Sequence, residues 1–183
     1  MALPENCIIT INGRVESGNP QVNEDSCDTI ELITRGYFTR KGENFFITYH
    51  ESEATGYEGC TTTVKIAGDS RCVTMLRFGP AQSQLVIEKG TRHICHYETG
   101  VGAMTLGVAA DEIEHNLTDE GGEASFSYTL DTDAQLLSRN CVRLRVRLAD
   151  SCQSYPFLPY RHISLCGIAI ILKGSTRYEL RKL

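Results

Sequence analysis

Two neighbouring stretches, GGEASFSYTLDTD at 121–133 and SRNCVRLRVRLAD at 138–150, alternate apolar and polar residues with a period of two. Successive side chains of a strand point to opposite faces, so Ala124, Phe126, Tyr128 and Leu130 share one face and Glu123, Ser125, Ser127 and Asp131 the other. In the second stretch Val142, Leu144 and Val146 alternate with Arg143, Arg145 and Arg147. One face of such a pair is core and the other is wet, which is the pattern of antiparallel sheet.

The same signature, with β-branched and aromatic enrichment and Gly, Asp, Asn or Ser punctuation, predicts strands near 7–15, 28–39, 44–51, 61–67, 72–78, 84–88, 92–99, 103–110, 123–131 and 140–148. Helix signals are nearly absent. Arg40-Lys41-Gly42-Glu43 and Ala67-Gly68-Asp69-Ser70 are short connectors, so strands adjacent in sequence are expected to be adjacent in the sheet, as an up-and-down meander. About eight to ten strands left flat and open would expose sheet edges, so they either curl closed or split into a sandwich. Closure into a single antiparallel all-β barrel is the expectation.

A chain of 183 residues supports one well-cored domain, and an apolar share of 41% with 22% charged residues is that of a globular protein rather than a disordered one. The opening MALPENCIITING has no basic segment followed by a long apolar one, and the apolar run ISLCGIAIIL at 163–172 is about half of the roughly 20 residues a membrane helix needs. The expectation is a cytoplasmic protein with no membrane partner. Eight cysteines are present without a single C-x-x-C, the spacing on which zinc ribbons and dithiol centres depend, so free thiols acting as small hydrophobes are expected.

The formal charge of −5 works against a phosphate-binding surface as the main function. Arg143, Arg145 and Arg147 form the one basic stripe, but no aromatic residues interleave with it. It reads as a solvated face with arginines across from Glu123 and Asp131, and no nucleic-acid partner is expected. After Leu148 the text changes: 149–160 holds two prolines, the run 163–172 follows, and a basic tail ends the chain. The expected division is a barrel domain at 6–148 and a C-terminal extension at 149–183, the latter either an added strand or a short helix.

Three stretches, DTIELITRGYFTRKGENFFITYHESEATGYEGCTTTVKI, RFGPAQSQLVIEKGTRHICHYETGVGAMTLGV and NLTDEGGEASFSYTLDT, together resemble the YwiB-like family of small bacterial proteins, a domain of unknown function. The resemblance covers roughly residues 6 to 148. It implies a calycin-like, lipocalin-like β-barrel whose interior holds a small ligand, and it carries no catalytic role. The family's Tyr-x-Glu falls on Tyr49 and Glu51, its Arg-Phe-Gly on Arg77, Phe78 and Gly79, and its Tyr-x-Thr-x-x-Gly on Tyr97, Thr99 and Gly102. This chain has Gly100 where the family often shows a proline.

The stretch RHICHYETG carries two histidines and a cysteine within four positions. On a strand His93, Cys95, Tyr97 and Thr99 point one way and Arg92, Ile94, His96 and Glu98 the other, so His93 and His96 do not converge on a metal without a bulge. A c-type haem motif needs C-x-x-C-H, and only Cys95-His96 is present. The row with His93 suits a barrel interior, where a neutral imidazole hydrogen-bonded to Tyr97 or a buried water outweighs a ligand-contacting role. Arg77 shares an apolar row with Val73 and Met75 and therefore demands a carboxylate such as Glu51, or a ligand anion.

The ligand-binding candidates are Glu51, Arg77, His93, Tyr97, Thr99 and Tyr49, with no catalytic residue, cofactor or metal assigned. The expectation is a barrel that binds a small, anionic or amphipathic molecule in its mouth. The alternatives are a filled structural or interaction barrel that forms a homodimer through 163–172, and a small enzyme using interior polar residues.

Overall fold

The computed structural model describes residues 4–18, 27–99, 102–132 and 135–149. Ten strands run in order: β1 (Cys7–Ser17), β2 (Cys27–Lys41), β3 (Asn44–His50), β4 (Thr61–Ile66), β5 (Cys72–Phe78), β6 (Ser83–Glu88), β7 (Arg92–Thr99), β8 (Gly102–His115), β9 (Gly121–Thr132) and β10 (Gln135–Leu148). Every strand pairs antiparallel with its sequence neighbours, and β1 pairs with β10, so the sheet closes into an up-and-down barrel. Closure removes both sheet edges. Of the expected extension at 149–183, all but Ala149 lies outside the described residues.

Alternation sorts the two faces as the sequence predicts. Ile9, Phe38, Ile47, Val64, Val73, Ile87, Val108, Phe126, Tyr128, Leu130, Leu144 and Val146 all turn inward and are buried, while Arg143, Arg145 and Arg147 face solvent. Burial of a side chain of this size contributes roughly 1.5–3 kcal/mol, so the inward rows supply most of what holds the barrel closed.

Two bulges account for strands longer than expected. β8 runs to His115 rather than 110, because a register shift between Ala110 and Glu112 adds one residue and moves the inward set from Leu106 and Val108 to Ile113. A period-two pattern that changes parity reads as a strand end, although the backbone simply bends. β10 begins at Gln135 rather than 140 for the same reason, with a shift between Leu136 and Ser138. Beyond it Ser138 and Asn140 turn inward and bond each other, Asn140 Nδ2 donating to Ser138 Oγ at 2.9 Å.

On the outer face Arg145 meets Glu123, its register partner, with Nε 2.6 Å from Oε1. Asp131 does not serve the arginine row as expected. It lies beside Gly107 in register, and Arg92 crosses β8 over that glycine to reach it, Nε to Oδ2 at 3.0 Å. Gly107 has no Cβ to obstruct the guanidinium, whose nearest atoms would fall within 2.0–2.6 Å of one. The Arg92 guanidinium holds the Asp131 carboxyl below its ordinary value.

Candidate functional site

One register row runs Tyr49, Thr62, Arg77, Ser83, Tyr97 and Met104 across β3 to β8. It lies where β3, β5 and β7 end and β4, β6 and β8 begin, so it marks one end of the barrel. Tyr49, Thr62 and Arg77 are buried, each continuing the inward alternation of its strand. Glu51 follows β3 directly and is also buried. Its backbone N–H donates to Cys60 O at 2.9 Å, which prolongs the β3–β4 pairing by one rung and fixes the carboxylate over the row.

Glu51 and Arg77 meet as the sequence suggests. Arg77 Nη2 stands 3.3 Å from Glu51 Oε1, with side chains 5% and 2% exposed, so the pair is desolvated. Thr62 lies between them: its hydroxyl donates to Glu51 Oε1 at 2.5 Å and accepts from Arg77 Nε at 3.3 Å. The Tyr57 ring covers the guanidinium, with Arg77 Cζ 3.6 Å from its centroid. An ion pair this deep survives because hydrogen bonds and a ring face replace the lost water.

Tyr57 and Thr62 were not anticipated. Thr62 shares its face with Val64 and Ile66, so alternation alone would have turned it inward. Tyr57 has no such signal, since it belongs to the loop 51–60, where a single 3-10 turn at Glu53–Thr55 ends on the left-handed Gly56. That loop folds back over the barrel end and buries Thr55, Tyr57 and Cys60.

The remaining candidates do not all join this cluster. His93 shares the inward row of the buried Cys95, as expected, but it is 31% exposed and pairs with Glu88, Nε2 to Oε2 at 2.7 Å. Four residues of strand, about 13 Å, separate His93 from the level of Tyr97. Tyr97 and Thr99 pair in backbone register with Met104 and Gly102, and their side chains lie outside the described residues. His96 faces outward beside Thr105, so the two histidines are split across the sheet as alternation requires.

Among the described residues no group of three His, Cys, Asp or Glu side chains is placed to hold a metal ion, and no helix is long and apolar enough to cross a membrane. Two concavities open on the molecular surface, one of about 620 Å³ and one of about 590 Å³. Of the candidate residues whose side chains are described, Tyr49, Glu51, Arg77 and His93, none lines either one.

The six described cysteines are free. Burial pushes the Cys7 thiol up from 9.0 to about 11. Because the folded value is the higher one, the neutral thiol's contribution to stability is complete below pH 9.0 and is lost between there and about 11. We expect a maleimide to label the exposed Cys141 of the native protein while sparing Cys7. Denaturant midpoints measured across that alkaline window should fall less for Cys7→Ala than for the parent.

The closed barrel is shared with a solved structure, the ywiB protein from Bacillus subtilis, at a TM-score of 0.65 and 17% identity, over 80% of this chain and 93% of that one. No curated protein matches. The family model described as Domain of unknown function (DUF1934) matches residues 9–144, which reaches into all ten strands of the barrel, and the chain belongs to that family.

Proposed function

We propose that this protein binds a small anionic molecule with an apolar body, received at the barrel end where Arg77 lies. One observation carries the reading: Arg77 is the only buried cation among the described residues, and its covers are Glu51 and a loop-borne tyrosine. A ligand carboxylate supplies the chemistry that Glu51 supplies here, and an apolar body suits the rows of Val64, Val73 and Leu85 below. The same reading takes the barrel as calycin-like and the protein as bacterial and cytoplasmic. Its closed meander, a fold shared with a Bacillus subtilis protein and the six free cysteines among the described residues support that.

Octanoate tests it. Titration followed by backbone amide NMR should give saturable shifts at Tyr49, Thr62 and Arg77. Glu51→Gln removes the competing carboxylate and should tighten binding by about tenfold. No saturable shift with either protein would overturn the proposal.

A second reading, a filled barrel acting in structure or interaction, is favoured by the way Arg77, Glu51, Thr62 and Tyr57 satisfy one another. On that reading octanoate binds neither form.

A further inference from the structure

The concavity of about 620 Å³ is not in the barrel interior. Most of its lining, including Asn12, Arg14, Glu31, Glu112, Ser125 and Arg143, belongs to positions that alternation places on the outer face, with the inward-row residues Gly13, Ile30, Phe126 and Val142 between them. It lies where β8, β9, β10, β1 and β2 curve together, and β8 carries its bulge there.

Arg143 lines one side of this depression. Its register partners are Ser125 on β9 and Asn12 on β1, neither of them acidic. Arg145, two residues on, is held by Glu123, and Arg14 by Glu16 at 3.0 Å. Arg143 has no ion-pair or hydrogen-bond partner among the described residues. A hydroxyl, a guanidinium and a carboxamide thus stand side by side on adjacent strands, about 5 Å apart, facing a hollow. Three such groups are a donor set for an oxyanion, in which the guanidinium supplies charge and paired N–H groups while the neutral side chains complete the coordination.

The flanks carry the opposite charge. Glu31 follows Asn12 in the same row on one side; on the other, β8 sets Glu114 opposite Ser125 and Glu112 opposite Ser127, of which Glu112 lines the hollow. A bare anion gains nothing from those carboxylates, whereas a ligand whose body carries hydroxyl or amine donors gains an acceptor at each end. We propose that this outer hollow is a second binding site, independent of Arg77, for a small phosphate ester bearing hydroxyl groups, its phosphate on Arg143, Ser125 and Asn12 and its hydroxyls toward Glu31 and Glu112.

Glycerol 3-phosphate is the probe, with inorganic phosphate and glycerol as the two halves of its chemistry. Amide NMR titration should show saturable shifts at Asn12, Ser125 and Arg143, weaker for inorganic phosphate and absent for glycerol. Arg143→Gln should weaken glycerol 3-phosphate binding by about tenfold or more, while Arg145→Gln, whose arginine is already engaged, leaves it within about twofold. Both positions are exposed, so both variants keep the parent's dispersed spectrum. Absence of saturation in the parent, or equal loss in the two variants, would overturn the proposal, the latter because it reports unspecific attraction to a basic strand.

Discussion

Arg77→Met should destabilise the protein by about 3–5 kcal/mol, because it removes the cation and leaves the Glu51 carboxylate buried without a counter-charge. Glu51 is 2% exposed along its side chain, so water does not rescue it. Thr62 still donates to it, but one hydroxyl does not neutralise a charge. The methionine itself fills much of the arginine's stem volume, so the loss reports the charge rather than a cavity. Arg77→Met combined with Glu51→Leu should recover most of the loss, leaving the pair within about 1–2 kcal/mol of the parent, since a packed apolar pair of similar volume replaces a buried ion pair at little cost. Urea unfolding of the parent, both single variants and the double variant supplies the cycle. A double variant no better than Arg77→Met would mean that the barrel end depends on the shape of these two side chains, not on their charge.

Gly121→Ala is the second large effect. Gly121 opens β9 at φ +104°, and a Cβ there would lie 2.5 Å from Val146 O. The backbone conformation costs a residue with a side chain about 1–3 kcal/mol, and pushing β10 away adds about 1–3 more. The position is also committed by hydrogen bonds: Thr118 N–H donates to Gly121 O at 2.8 Å and Gly121 N–H to Thr118 O at 3.2 Å. The peptide therefore cannot rotate to relieve the clash. Gly42→Ala is the comparison. Gly42 also has a positive φ, +60°, but nothing lies within 4 Å of its added Cβ, and its substitution should cost only about 1–2 kcal/mol. Thermal melts that rank the two equally would remove the steric argument and leave backbone conformation alone.

Much of the fold was legible because strand alternation is a local property. Direction at each Cα is set by its neighbours, so the ten strands, the inward face of β9 and β10 and the split of His93 from His96 follow from spacing alone. Legibility failed at Asp111 and Leu137, where bulges change parity and turn a continuing strand into an apparent end. It failed again at Tyr57, since a loop residue has no period to reveal its direction.

The sites divide the same way. That Arg77 points inward and needs an anion was determined by its place beside Val73 and Met75. That the anion is Glu51, 26 residues away, with Thr62 between and Tyr57 above, was decided by how β3, β4 and β5 register and how the loop folds back. His93 went to Glu88 because the β6–β7 turn places the two side by side, an arrangement its strand row does not encode. The outer hollow around Arg143 is the clearest case. Its row was readable as a wet arginine face, but the hollow takes its lining from β1, β2, β8, β9 and β10, and no single strand specifies what five of them enclose together.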